Sequence, residues 1–181
     1  MSAIKQLTGM RGVYLVAAEL SRLGFIASPT SRSAMGADLL VTDQACLRAY
    51  SVQVKTNAST FGFWLLSEKA RTMVSPHYIY AFVNLRRRKD KEIIEFFILP
   101  SSDVAEMMKS GTSTTRKWSE WHQLDFVDAK PFENNWGVFG QPVAQVVAAE
   151  QPDPAGGARG ITDKAWHGFH VVFRNKDRAS V

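Results

Sequence analysis

The chain has one cysteine, no long apolar run and little excess charge. Cys46 alone excludes an internal disulfide framework, and no CxxC or clustered His/Cys spacing suggests structural zinc. No apolar stretch approaches the ~18 residues of a membrane span, so the expectation is no membrane. The opening MSAIKQLTGMRG lacks the apolar core of a signal peptide, which points to a cytoplasmic protein. The 22 basic residues exceed the 17 acidic ones by only five, a balance that permits a nucleic-acid partner without demanding one.

What is present fits a soluble globular domain: 181 residues, 45% hydrophobic and 22% charged. At this size a chain buries about 70% of its unfolded surface, enough for one full core. The texture divides the chain into a domain over 1–140, an Ala/Gln/Pro/Gly-rich linker over 141–160 and a basic-aromatic tail over 161–181. The tail holds Trp166, Phe169 and Phe173 beside Arg174, Lys176 and Arg178, a composition suited to docking on the domain or on a protein partner.

Val13, Val16, Ala17, Leu20 and Leu23 recur at helical spacing, and Gly24 sits where a C-terminal cap belongs. This predicts a helix over Thr8–Leu23. Ala37–Thr42 and Leu47–Val54 read as strands joined at Asp43–Ala45. A short strand follows at Gly62–Leu66, then a helix over Ser67–Val74 with Ser67 as cap. Tyr78–Leu85 and Ile93–Leu99 are apolar strands around a charged turn, and Ser102 is expected to cap a helix to Lys109. Trp121–Val127 reads as a last strand and Pro131–Phe139 as a short helix. Mixed strands and helices argue for an α/β or α+β sandwich around one sheet, with α/β the expectation.

The informative residues are Glu19, Asp38, Gln53 and Lys55. A hairpin centred between Ala45 and Cys46 pairs Asp38 with Gln53. Alternation then puts Lys55 on the same face and collects Leu39, Val41, Val52 and Val54 on the other. Glu19 lies at the flank of the helical stripe, where its carboxylate can point along the sheet. Asp38, the Gln53 amide and the Val54 carbonyl are hard oxygen donors that suit Mg²⁺ or Mn²⁺. Lys55 would orient a water or offset charge building on phosphorus.

The runs GVYLVAAELSRLGF, SRSAMGADLLV and YSVQVKTN resemble the PD-(D/E)XK nuclease superfamily, the restriction-endonuclease-like fold, and within it the archaeal-type Holliday junction resolvases. The resemblance covers roughly residues 8–85 and implies a core of helix, three strands, helix and strand. It implies a helix glutamate at Glu19, a metal-binding aspartate at Asp38 and a catalytic lysine at Lys55. The activity implied is metal-dependent DNA cleavage, and a homodimer is implied because one site cuts one strand. Two positions depart from the pattern. Ala37 replaces the usual proline, and Gln53 stands where the family's acid is usual, removing one negative charge from the metal site. The alternative is a non-cleaving DNA-binding or interaction subunit.

Basic residues supply candidate phosphate contacts. Arg86, Arg87, Arg88 and Lys89 form a run that is either a DNA contact or a solvated turn, and Lys69 and Arg71 stand on the expected short helix. Phe61, Phe63 and Trp64 are either core residues or a stacking platform. His77 and His122 stand isolated in the sequence.

Overall fold

A computed structural model describes residues 3–31, 36–58, 62–89, 91–112 and 120–142. The expectations for Phe61, for the linker from 143 onward and for the tail fall outside these residues.

Helix α1 runs over Ala3–Arg22, a turn longer at its start than the apolar stripe predicts. Strands β1 (Ile26–Pro29), β2 (Leu39–Thr42) and β3 (Ala49–Asn57) follow, then β4 (Phe63–Leu66), β5 (Tyr78–Arg88) and β6 (Lys91–Pro100). After them come α2 (Ser101–Met107), β7 (Lys109–Thr112), β8 (Glu120–Asp125) and the single turn α3 (Phe126–Ala129). A five-stranded sheet has the order β1-β2-β3-β5-β6, and a three-stranded sheet the order β4-β8-β7. The central sheet is mixed, because β3 and β5 run parallel while its other pairs are antiparallel. The architecture is mixed α/β with few helices.

The register of β2 on β3 is the one the alternation predicts: Leu39 faces Val52 and Val41 faces Tyr50. Leu39, Val41, Val52 and Val54 are buried beneath Val13, Val16 and Leu20 of α1. The other face of the sheet is covered by a second cluster, in which Tyr78, Tyr80, Phe82 and Phe97 meet Trp64, Leu124 and Val104. Trp64 is therefore a core residue, its ring 5.1 Å from Phe82 and its Nε1–H donating to Val83 O at 3.3 Å. The β2–β3 turn is closed by Asp43, which is fully buried and accepts from Leu47 N at 2.9 Å and Arg48 Nε at 3.2 Å. Burial alone would raise its carboxyl, but these donors hold it below the ordinary value.

Several elements differ from expectation. In place of the predicted helix over Ser67–Val74 there is a four-residue 3-10 helix, Glu68–Arg71. Ser67 does cap it, accepting from Lys69 N. Thr72 and Val74 are β-branched, and Pro76 disfavours helical backbone at Ser75, so the segment stops after one turn. Ser102 does not cap α2. The helix begins at Ser101, whose buried hydroxyl donates to Ser75 O and accepts from Ser75 N. Arg86, Arg87 and Arg88 belong to β5 rather than to a turn, and the chain reverses at Lys89 with φ of 53°. Strand β7 begins at Lys109, the end of the helix expected from Ser102. It lacks an apolar alternation, and it pairs with β8 because Gly111 leaves room for the Trp121 ring. The expected last helix is a pair of 3-10 turns, Lys130–Phe132 and Trp136–Phe139, with Phe139 buried against Phe25 and Tyr50.

Helix α1 approaches β3 closely at Gly12, where an added Cβ would overlap Thr56 Oγ1 and lie 2.9 Å from Thr56 Cβ. Ala is the better helix former by about 1 kcal/mol. Forced overlap in a packed interface costs about 1–3 kcal/mol. Gly12→Ala is therefore expected to lower the stability measured by urea unfolding, against the helix-propensity trend.

Candidate active site

Asp38 precedes β2, and its backbone is fixed from both sides. Its N–H donates to Val52 O at 2.8 Å, and its carbonyl accepts from Thr30 N at 3.0 Å. Thr30 Oγ1 also donates to Ala37 O at 2.6 Å. The carboxylate then turns onto β3, where Oδ2 accepts from Val54 N at 2.8 Å and from the Gln53 side-chain amide. Both partners lie just beyond the point where β2 begins, so the carboxylate takes over for the missing strand.

Gln53 and Lys55 share the face opposite α1. Across the sheet, Gln53 is level with Tyr80 and Lys55 with Phe82. These aromatic neighbours explain the state of the lysine. Burial pulls the Lys55 amine below its ordinary value, and the nearby Asp38 charge offsets part of that shift. Tyr78 and Tyr80 are buried on the same face, their ring centroids 5.2 Å apart. Burial pushes both hydroxyls up, and for Tyr78 the Asp38 charge adds to the effect. Both tyrosines therefore remain neutral donors. In the sequence both read as ordinary residues of an apolar strand.

The structure thus brings Asp38, Gln53 and Lys55 together. Glu19 stands apart from them in one respect. It rises from α1, the helix packed on the other face of the sheet, and its carboxylate accepts from Arg22 Nε at 2.8 Å. Arg86 is also engaged, donating to Glu95 Oε2 at 2.8 Å while its guanidinium lies 4.9 Å from the Phe126 ring centre. Arg87 and Lys89 are exposed. Lys69 and Arg71 lie on the 3-10 turn, with Arg71 donating to Ser110 Oγ at 2.8 Å.

The donor set fits a hard divalent cation in its chemistry. Asp38 supplies carboxylate oxygen. Val52 O accepts from Asp38 N, so Val54, two residues on, points its own N–H and C=O toward the same β2 edge. Gln53 turns its nitrogen to Asp38, and ligation through its oxygen requires the amide to rotate. Among the described residues, no group of three or more His, Cys, Asp or Glu gathers in one place. Of the three residues gathered, Asp38 is the one carboxylate, and it faces the Lys55 amine.

A lysine held below its ordinary value costs stability while it is charged. The unfolded state then binds more protons between the folded-state value and 10.5, so stability rises with pH across that window. Lys55→Met is expected to raise the melting temperature at pH 7, with the gain shrinking as pH rises toward 10.5. Thermal scans of both proteins across pH check this.

No family model matches the chain, and no curated protein matches it. Among solved structures, the chain is similar to that of Archaeoglobus fulgidus Hjc, a Holliday junction resolvase from an archaeal hyperthermophile. The two share 14% identity, with a TM-score of 0.43, over 68% of this chain and 88% of that one. No helix among the described residues is long and apolar enough to cross a membrane.

Proposed function

We propose that this protein is a divalent-metal-dependent DNA endonuclease that hydrolyses phosphodiester bonds, with branched or junction DNA as its substrate. The observation that carries this reading is the partly buried Lys55 amine beside Asp38, on the one sheet face where Gln53 and the Val54 backbone also converge.

Asp38, the Val54 carbonyl and a rotated Gln53 would hold Mg²⁺ or Mn²⁺, while Glu19, on the α1 side of the sheet, is bonded to Arg22. The bound cation supplies Lewis acidity toward a phosphodiester oxygen and lowers the pKa of an attacking water. The remaining work falls to the chain. Lys55 faces the growing negative charge on phosphorus from a site that partly excludes water, where an ammonium acts more strongly than in bulk. Asp38, fixed by Val54 N, keeps its carboxylate at the strand edge and balances the lysine charge. Two copies would be needed to cut both strands.

A second reading is favoured by Gln53. An amide in place of a carboxylate leaves one negative charge at the centre of the site, which suits a DNA-binding subunit without cleavage. In either reading the basic residues of the β5–β6 hairpin would contact phosphates.

The variants separate the two readings. Lys55→Ala is expected to abolish cleavage of labelled branched DNA while leaving Mn²⁺ binding equal or tighter by calorimetry, because a cation leaves the site. Gln53→Glu is expected to move half-maximal cleavage to lower Mn²⁺, because it adds a charge next to a hard cation. Equal cutting by wild type and Lys55→Ala would place catalysis elsewhere. Failure of both wild type and Gln53→Glu to bind Mn²⁺ would leave the non-cleaving reading.

The hairpin has its own test. Neutralising Arg87, Arg88 and Lys89 together is expected to flatten the slope of log affinity against log salt by roughly 2–3 units. Arg86→Gln is expected to act on stability instead, since its guanidinium is already bonded to Glu95. An unchanged slope in the triple variant assigns the run to solvation.

A further inference from the structure

On the three-stranded sheet, three residues far apart in sequence form a connected surface cluster. Arg71 Nη2 donates to Ser110 Oγ at 2.8 Å, and Ser110 Oγ lies 2.7 Å from His122 Nδ1. Ser110 and His122 are held level by the β7–β8 register. Arg71 is held by its neighbour Ala70, which is buried in the same cluster as Tyr78 and Tyr80. The cluster therefore stands on the same side of the central sheet as Gln53 and Lys55.

Its hydrogen-bond inventory is one-sided. Arginine has donors only, and Ser110 accepts one of them. If His122 Nδ1 accepts the serine proton, the imidazole keeps an Nε2–H. If Nδ1 carries the proton, Ser110 accepts twice and its own hydroxyl proton is unspent. With the proton on Nδ1, neutral His122 keeps Nε2 as an acceptor; in either tautomer, donors from Arg71 and from Ser110 or His122 remain for a ligand. The nearby acids are engaged with a cation, because Lys109 Nζ spans Asp125 at 2.7 Å and Asp128 at 2.8 Å. An exposed, donor-rich and acceptor-poor cluster built on a guanidinium suits an oxyanion with several acceptor oxygens.

We propose that Arg71, Ser110 and His122 form a phosphate-binding site, and that it anchors a DNA phosphate away from the reacting one. This deepens the nuclease reading by giving the substrate a second point of attachment, and it rests on that reading for the identity of the polymer. The same oxyanion chemistry is offered by an internal phosphodiester and by a terminal 5′-phosphate.

The test is anisotropy of labelled duplex across a salt series in EDTA, with full-length protein and with 5′-phosphate or 5′-hydroxyl ends. Arg71→Gln is expected to weaken binding and flatten the salt slope by about 1 unit, one phosphate's worth. Arg71→Lys should restore the slope but not the full affinity, because the planar fork is lost. Ser110→Ala removes no charge, so it should weaken binding by about fivefold with the slope unchanged. Equal losses on both duplexes assign the site to the backbone, and losses confined to phosphorylated ends assign it to the terminal phosphate. Affinities within twofold of wild type for both Arg71→Gln and Ser110→Ala, with coincident melting curves, would overturn the site. Because the measurement excludes metal, it stands whether or not wild type cleaves DNA. Absence of Mn²⁺-dependent cutting would sink the nuclease reading alone.

Discussion

Everything in the candidate site depends on the pairing of β2 with β3. With Leu39 opposite Val52, one face of the hairpin is fully apolar and lies under Val16 and Leu20. The same alternation commits Asp38, Gln53 and Lys55 to the other face. A slip of one residue would send valines to the site and the lysine under α1, exchanging apolar burial for a buried unpaired charge. The hydrophobic effect in one layer therefore selects the polar arrangement in the other. The buried Asp43, bonded to Leu47 N and Arg48, fixes the turn on which this register depends.

The end of β2 is as important as its register. Because the strand begins at Leu39, the β2-facing edge of β3 is unpaired at Val54, and the Asp38 carboxylate occupies the gap. A strand end of this kind is where backbone polar groups are free to serve a ligand. The aromatic layer beyond it, from Tyr78 to Phe82, shields one flank from water. It lowers the Lys55 amine and keeps the tyrosines neutral. Packing and electrostatics are thus coupled at the site. The same aromatic cluster that stabilises the second face makes the lysine costly to keep charged.

The second layer extends the functional surface in a direction the sequence conceals. Residues 71, 110 and 122 lie in three separate elements, and none stands in a recognisable motif. The 3-10 turn is short because Pro76 follows closely, and it leaves Arg71 beside β7 instead of carrying it along a longer helix. Lys109 meanwhile draws Asp125 and Asp128 to itself.

The sequence by itself determined the local and periodic features. The α1 stripe, the apolar strands, the β2–β3 register and the common face of Asp38, Gln53 and Lys55 follow from alternation and spacing, because burial on one face enforces period 2 in strands and about 3.6 in helices. Tertiary structure decided what periodicity cannot encode. Strand β7 forms from a polar segment because Gly111 admits the Trp121 ring. Arg86 is tied to Glu95 by a cross-strand pairing that its neighbours in sequence do not reveal. Glu19 pairs with Arg22 one turn away on the helix, and only the packing of α1 determines which face of the sheet that helix covers. The Arg71, Ser110 and His122 cluster arises where separate elements meet, and contacts of that range are set by the packing of layers rather than by any local pattern.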